Sequence, residues 1–285
     1  MALERKTVII TDSSCDLSDE QLAAHHIRMI SLRVTCQNAE YRDRIDIDQE
    51  ELYELLEREL PKTSLPLPED VTNLYDELVA EGVTDVIHLS ISSGLSGTCH
   101  MVRMLAEDYQ DRMNIRVVDS LTLSTGLGMM VLAAAKALQQ GLGVEEAIQK
   151  AQVVRSTQLG TFVIRTLEYL RKGGRIGLVE GVVGSILQIK PVIFVNKEGV
   201  YETLAKARGY KNAIEAMVQE AVRYFGQAKL SLSVVHGHAL EDAQLLLEKL
   251  KAQLNIAESF ISPVSPVLAI HTGPGLLGIV ANKME

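Results

Sequence analysis

Short apolar runs alternate with amphipathic segments through the first half of the chain, and this alternation restricts the possible folds more than any other feature. Buried strands are predicted at residues 6–11, 29–34, 85–90 and 115–118. Helices are predicted at residues 19–25, 48–59, 69–81, 98–109 and 125–140, and the prolines of residues 62–68 predict a loop. Strands that alternate with helices favour a parallel sheet with helices on both faces. The first half is therefore predicted to be an α/β domain.

The pattern changes after Gly141. One more helix is predicted at residues 144–159, followed by strands at 161–164, 191–195, 230–236 and 268–271, with helices at 211–225 and 240–254. We expect a domain boundary near residue 160. The sequence thus predicts two α/β domains, covering residues 1–160 and 161–285.

Charge and composition exclude several classes of function. The 28 Lys and Arg residues are outnumbered by 37 Asp and Glu residues, for a net charge of −9, so a nucleic-acid partner is disfavoured. Aromatic residues make up only 4% of the chain and there is no Trp, which disfavours a base-stacking surface. The three cysteines form no metal or disulfide pattern. No apolar run is long enough to span a bilayer, and we expect a cytoplasmic protein without stable membrane insertion.

A loop of serines and glycines lies between a predicted strand and a predicted helix. It reads Ser92-Ser93-Gly94-Leu95-Ser96-Gly97-Thr98. Glycines let the backbone turn, hydroxyls supply hydrogen bonds, and the amides at a helix start attract anions. The loop is interpreted either as an anion seat or as a set of serines that only cap the helix.

Two further polar positions are predicted at the same sheet edge, where open α/β sheets bind ligands. Thr63 and Ser64 lie in the proline-rich loop, and His271 and Thr272 end the predicted last strand. A histidine there could donate a hydrogen bond to an anion. The alternatives are a helix cap before residue 69 and a structural histidine.

Three motifs carry weaker signals. Residues 273–278 match G-x-G-x-x-G, but no crossover helix follows in this sequence, so we expect a tight turn rather than a nucleotide site. His236 and His238 form a possible metal pair that lacks a third ligand, and no metal is expected. The basic, glycine-rich stretch 171–177 is either a solvated loop or a surface for an anionic ligand or acidic partner.

Taken together, the order and spacing of these segments resemble the DegV family over essentially the whole chain. The residues that carry the resemblance are Thr11-Asp12-Ser13, Thr63-Ser64-x-Pro66, Ser92-Ser93-x-Leu95-Ser96-Gly97-Thr98, Asp119-Ser120, Leu167-x-Tyr169-Leu170-x-x-Gly173-Gly174-Arg175, Lys190-Pro191 and His271-x-Gly273-Pro274-Gly275.

The resemblance implies two α/β domains that hold one long-chain fatty acid, such as palmitate, between them. It implies that the carboxylate is bound by Thr63, Ser64, Ser93 and His271, with support from Ser92, Ser96, Thr98 and Thr272. It also implies a carrier in lipid transport and fatty acid metabolism without catalytic residues or cofactors, which presents the carboxylate to a separate fatty acid kinase for acyl-phosphate formation. Candidate docking residues for that kinase are Arg171, Lys172, Arg175 and Arg208.

The chain departs from the family pattern at Leu65 and Leu67, where many members have a glutamine and a small hydroxyl residue, and Leu67 is expected to narrow the pocket. Two other functions remain open. One is a phosphotransfer enzyme on small molecules, since the family is structurally related to dihydroxyacetone kinases. The other is a regulatory lipid sensor whose output is a protein contact.

Overall fold

The computed structural model of the chain describes residues 6–182 and 188–284. Residues 1–5, part of the predicted first domain, and residues 183–187 and 285, part of the predicted second domain, lie outside the described residues. The strands are β1 (Thr7–Asp12), β2 (Arg28–Ile30), β3 (Arg33–Thr35), β4 (Glu40–Arg42), β5 (Lys62–Ser64), β6 (Asp85–Ser90), β7 (Asn114–Asp119), β8 (Leu159–Val163), β9 (Ile189–Val195), β10 (Tyr201–Arg208), β11 (Leu230–His236), β12 (Ile256–Pro263) and β13 (Leu277–Lys283).

Ten α-helices are present in the described part of the chain. They are α1 (Asp19–Ala24), α2 (Gln49–Leu56), α3 (Pro68–Ala80), α4 (Thr98–Glu107), α5 (Thr125–Gln139), α6 (Val144–Thr157), α7 (Glu168–Lys172), α8 (Tyr210–Phe225), α9 (Leu240–Lys251) and α10 (Pro266–Thr272). Two short 3-10 turns lie at Ser13–Cys15 and Gly177–Val182. Within these ranges, no helix is both long enough and apolar enough to cross a bilayer.

A four-stranded parallel sheet in the order β2-β1-β6-β7 forms the first half of the molecule. Alternate residues of β1 point to opposite faces, as strand geometry requires. Ile9 packs with residues of α5 and α6, and Ile10 packs with Tyr75 of α3 and Ala106 of α4. The predicted parallel sheet with helices on both faces is confirmed.

A six-stranded mixed sheet in the order β10-β9-β8-β13-β11-β12 forms the second half, and only β11 and β12 pair in parallel. One face, with Val163 and Ile279, packs against α8 and α9. The opposite face, with Phe162 and Val280, packs against α10 and the small antiparallel sheet β4-β3-β5. The space between this face and α10 holds the candidate site described below.

Several predicted elements differ from the structure. The predicted strand at residues 29–34 is divided between β2 and β3, which lie in different sheets, and the predicted loop at residues 62–68 contains β5. Strands β10, β12 and β13 were not predicted; β10 and β12 mix polar and apolar residues without a continuous apolar run. The predicted boundary near residue 160 falls within β8 and stays a prediction.

The predicted last strand at residues 268–271 is wrong, because these residues belong to α10. All seven residues of this helix are buried, so its sequence has no polar face to reveal a helical period. Pro266 occupies the first turn, where its fixed φ suits a helix and its missing amide costs nothing.

Two buried carboxylates hold the start of α10 in place. Asp16 accepts a hydrogen bond from the Ser265 amide at 2.9 Å, and Asp43 accepts one from the Val267 amide at 3.0 Å. Burial raises the pKa of Asp16 to about 6 and the pKa of Asp43 to about 7. These contacts tie α10, whose last turn carries His271, to the loops that follow β1 and β4.

Candidate functional site

A cavity of about 270 Å³ lies where β5, the loop after β6, α10 and the segment after α7 meet; we call it the head cavity. Its wall combines hydroxyl, imidazole and guanidinium groups with aliphatic side chains. The described lining residues are Leu32, Thr63, Ser64, Leu65, Ile91, Leu95, Ser96, Leu123, Arg175, Tyr201, Val267, Leu268 and His271. The structure therefore brings together three of the four residues that were predicted to bind a carboxylate.

Thr63 and His271 are in direct contact although 208 residues separate them in the sequence. The distance from Thr63 Oγ1 to His271 Nε2 is 2.9 Å. Burial, and secondarily the charge of Arg175, lowers the pKa of His271 to about 4, so the ring is neutral at pH 7. With its proton on Nε2, the imidazole donates to Thr63 Oγ1 and leaves the hydroxyl hydrogen free. Thr63 can then donate to an acceptor in the head cavity.

Arg175 and Gly173 form the wall behind His271. Arg175 Nη1 donates to the Gly173 carbonyl at 2.8 Å, and Arg175 Nε donates to the Leu95 carbonyl at 3.3 Å. A Cβ atom placed on Gly173 would lie only 2.1 Å from His271 Nδ1. A glycine is therefore required for the imidazole to reach Thr63.

The hydroxyl groups of the loop at residues 92–98 have different surroundings. Ser92 is buried and donates to the Gly199 carbonyl at 2.7 Å. Ser96 lines the head cavity, and its Oγ lies 2.8 Å from Oγ1 of the buried Thr98. The Ser93 side chain is exposed and is not among the described lining residues, while its amide donates to Asp119 at 3.2 Å.

A second cavity, of about 50 Å³, adjoins the head cavity; we call it the apolar cavity. Leu123, Tyr201 and Leu268 line both cavities. The other described lining residues are five aliphatic residues, one phenylalanine, two glycines and four residues with hydroxyl groups: Thr122, Ser124, Gly160, Thr161, Phe162, Val195, Val235, Val264, Thr272, Leu276, Gly278 and Val280. Thr272 lies here rather than in the head cavity, and its hydroxyl donates to the Leu268 carbonyl.

The sequence did not indicate which residues line both cavities. Tyr201 is the first residue of β10, an unpredicted strand, and it packs edge to face on Phe162 at 5.1 Å. Burial raises the pKa of Tyr201, and the hydroxyl stays protonated. No local pattern distinguishes Tyr201, Leu123 or Leu268 from ordinary core residues.

Comparison with known proteins identifies the family. The model of the DegV family, described as one of uncharacterised proteins, matches residues 6–283. The chain belongs to the DegV family. A DegV domain-containing protein of Clostridium perfringens is 35% identical over 279 residues, which cover 98% of this chain and 99% of the relative.

Two solved structures of fatty-acid-binding proteins resemble this one closely. A fatty-acid-binding DegV protein of Thermus thermophilus has a TM-score of 0.90 and 32% identity, covering 98% of this chain and 100% of that one. A stearic-acid-binding protein of Eubacterium ventriosum has a TM-score of 0.88 and 27% identity, covering 98% of each chain. The predicted DegV-like fold of two α/β units is thus confirmed.

The four basic residues that the charge pattern suggested for partner docking do not share one environment. Arg171 and Arg208 are exposed, and Lys172 is exposed but pairs with Glu168 at 2.5 Å. Arg175 is half-buried and lines the head cavity. Leu65, one of the two departures from the DegV pattern, also lines the head cavity, whereas Leu67 is not among its described lining residues.

The weaker motifs are explained by local structure. Gly273 and Gly275 have φ values of +70° and +81°, which confirms that this segment is a tight turn needing glycine. β11 ends at His236, so His238 does not continue the strand. The described residues include no cluster of three potential metal ligands of the His, Cys, Asp or Glu type.

Proposed function

We propose that this chain binds one long-chain fatty acid and presents its carboxylate to a separate fatty acid kinase, with no chemistry of its own. The carboxylate would occupy the head cavity, and the acyl chain would enter the apolar cavity. The observation that carries this proposal is that the two cavities adjoin and share the lining residues Leu123, Tyr201 and Leu268. A cavity that offers hydroxyl, imidazole and guanidinium groups beside a mostly apolar one matches an amphiphile with one charged end.

The acyl chain would supply most of the binding free energy. Each buried methylene contributes about 0.8 kcal/mol, so a chain of about 16 carbons offers on the order of 10 kcal/mol before ordering costs. The apolar side chains that line the apolar cavity would contact these methylenes.

The head cavity would replace the hydration of the carboxylate. Thr63 offers a free hydroxyl hydrogen, and Ser96 and Ser64 offer further hydroxyls. The guanidinium of Arg175 adds one positive charge while its Nε and Nη1 atoms remain bonded to carbonyl groups. This set of donors favours an anionic head group over a neutral one.

The protein is expected to carry one fatty acid when purified under gentle conditions. Native mass spectra would be compared with spectra recorded after denaturation, and the released compound would be identified by chromatography. A mass excess equal to one long-chain fatty acid supports the proposal. If delipidated protein neither shows this excess nor binds added palmitate, the proposal is wrong.

Replacement Thr63→Ala is expected to weaken fatty acid binding by about 1 to 2 kcal/mol, because one hydrogen bond to a charged group is lost. The measurement is displacement of a fluorescent fatty acid. Ser156→Ala is the matched control, since it removes an exposed hydroxyl on α6 that donates to the Val153 carbonyl. Equal affinities of the two variants would show that Thr63 does not contact the ligand.

The same assay separates the two serines of the loop before α4. Ser96 lines the head cavity, and Ser93, which the family pattern favours, is exposed. A loss for Ser93→Ala alone would mean that its side chain turns inward when the carboxylate binds. A loss for Ser96→Ala alone would assign the contact to the serine that already lines the cavity.

Presentation to a kinase requires a docking surface near the head cavity. Arg171 lies in α7, close in sequence to the cavity residue Arg175, whereas Arg208 lies at the opposite end of β10 from the cavity residue Tyr201. In a chain of net charge −9, exposed basic residues are natural contacts for an acidic partner surface.

Charge reversal at Arg171 or Arg208 is expected to reduce kinase-dependent acyl-phosphate formation several-fold and to leave fatty acid affinity nearly unchanged. The measurement is acyl-phosphate production by an ATP-dependent fatty acid kinase from the same organism, with a parallel binding titration. Arg223→Glu on α8 is the control for charge alone, because Arg223 is also exposed. If all three variants behave like the wild type, the docking surface lies elsewhere.

A further inference from the structure

A separate cavity of about 670 Å³ lies between β11, the start of α9 and the glycine turn after α10; we call it the histidine cavity. No described residue lines both this cavity and either the head or the apolar cavity. Its described lining residues are Gln49, Glu50, Arg165, His236, His238, Ala239, Leu240, Glu241, Asp242, Pro274 and Gly275. Two motifs that fatty acid binding does not use, H-G-H and G-P-G, meet here.

His236 forms the floor of the histidine cavity and is only 7% exposed. Its Nδ1 accepts a hydrogen bond from the Ala239 amide at 3.4 Å. Because Nδ1 accepts this hydrogen bond, the proton of the neutral ring is on Nε2. No described residue forms a hydrogen bond with Nε2. Burial, and then the neighbouring His238, lowers the pKa of His236, so the ring is a neutral donor at pH 7. The Nε2–H group is therefore available to a ligand.

The first turn of α9 adds backbone donors beside His236. The residue before this helix of 12 residues is Ala239, whose side chain makes no cap hydrogen bond. The leading amides of a helix have no partner within it and carry part of the positive end of the helix dipole. Leu240 and Glu241 line the cavity at this point, so their amides and the His236 ring can act on the same group.

Arg165 supplies a positive charge that the surrounding residues hold in position. Its guanidinium lies 4.6 Å from the centre of the Tyr210 ring, and the Tyr210 hydroxyl donates to the Gly275 carbonyl. The Gly275 amide donates to the Gly237 carbonyl at 2.6 Å. A Cβ atom on Gly275 would lie 2.3 Å from Arg165 Nε, so glycine is needed for the arginine to pack here.

Three exposed carboxylates surround this floor of donors. Glu50, Glu241 and Asp242 line the cavity, and Asp242 lies 3.9 Å from Arg165. They disfavour a simple anion, which would meet three negative charges. They favour a ligand whose anionic group binds to His236, Arg165 and the first amides of α9, and whose ammonium or hydroxyl groups face the carboxylates.

We propose that the histidine cavity binds a small phosphomonoester whose organic part carries an ammonium or hydroxyl group. The phosphate would accept from His236 Nε2, from the leading amides of α9 and from the guanidinium of Arg165. A phosphate has enough acceptor oxygens for all three donors, and helix starts are common phosphate sites. The organic part would face Glu50, Glu241 and Asp242.

Isothermal titration of the full chain with O-phosphoethanolamine tests this proposal at fixed ionic strength. We expect saturable binding at least tenfold tighter than that of inorganic phosphate or sulfate. In amide NMR spectra, the resonances of Leu240 and Glu241 are expected to shift during the titration. Failure of all three compounds to bind would overturn the proposal, and equal binding of all three would overturn the role of the carboxylates.

Arg165→Gln is expected to weaken O-phosphoethanolamine binding at least tenfold, while Arg223→Gln, an equal loss of charge on α8, leaves it unchanged. His236→Phe keeps a buried ring, removes the donor and should also weaken binding. If Arg165→Gln and Arg223→Gln weaken binding equally, the ligand is attracted by net charge alone, and the proposed site is wrong. Palmitate affinity, measured on the same samples, should stay at the wild-type value, so this test is independent of the proposed fatty acid site.

Discussion

Replacement of Gly160 by leucine is expected to lower fatty acid affinity more than 100-fold. Gly160 lies in β8 opposite Val280, and both line the apolar cavity. A leucine side chain at this position would project into the apolar cavity and occupy the path proposed for the acyl chain. Excluding about four methylenes at roughly 0.8 kcal/mol each costs about 3 kcal/mol of binding. Fluorescent fatty acid displacement measures the loss.

Gly160→Ala is the matched control for this prediction. A Cβ atom at Gly160 meets nothing closer than Val280 Cγ2 at 3.9 Å, an ordinary contact. The alanine variant should therefore bind nearly as well as the wild type. Circular dichroism would verify that both variants are folded. A folded leucine variant with wild-type affinity would show that the acyl chain does not pass Gly160.

Gly173→Ala is expected to reduce fatty acid affinity about tenfold or more. The new Cβ atom would lie 2.1 Å from His271 Nδ1 and 2.7 Å from Cε1, so the imidazole must leave its place. The contact between His271 and Thr63 is then lost, and the threonine hydroxyl no longer has a fixed orientation. Binding would be measured by displacement and the His271 ring by NMR.

The NMR titration gives this variant an independent readout. In the wild type, burial lowers the pKa of His271 to about 4, and displacement into solvent would move it back toward its ordinary value near 6.5. Gly174→Ala is the control, because a Cβ there meets no atom within 4 Å although its φ of +70° strains the backbone. It should lower the melting temperature and leave both the affinity and the His271 pKa unchanged. If Gly173→Ala and Gly174→Ala lower the fatty acid affinity by similar factors, strain in this loop rather than displacement of His271 causes the loss.

The parallel sheet was predictable because its evidence is local. β1 and β6 are short and apolar and are bounded by polar residues, and their alternation with helices leaves few arrangements. Thr63 was singled out as one of two neighbouring hydroxyl residues in a proline-rich loop, and His271 as a histidine at the end of a predicted strand. The resemblance to DegV proteins added the pairing of these residues in one site.

The secondary structure was predicted wrongly where a helix is completely buried and its sequence therefore lacks a helical alternation of polar and apolar residues. A helix surrounded by protein on all sides, such as α10, has the same apolar composition as a buried strand. For Arg175, the sequence left open a solvated loop, an anionic ligand and an acidic partner, and its docking role stays a prediction. In the structure, Arg175 lines the head cavity, where carbonyl groups of Leu95 and Gly173 accept hydrogen bonds from its guanidinium.

The sequence by itself determined the order of most helices and strands, the parallel sheet and the kinds of side chain that recognise an anion, because these depend on neighbours within a few residues. The tertiary structure alone decided which of those side chains meet. Thr63 reaches His271 across 208 residues only because Asp16 and Asp43 fix α10 beside β5 and because Gly173 leaves room for the ring. Tyr201 lines both cavities, and its position depends on the long-range pairing of β10 with β9. Such contacts depend on packing between distant segments, which local propensity does not encode.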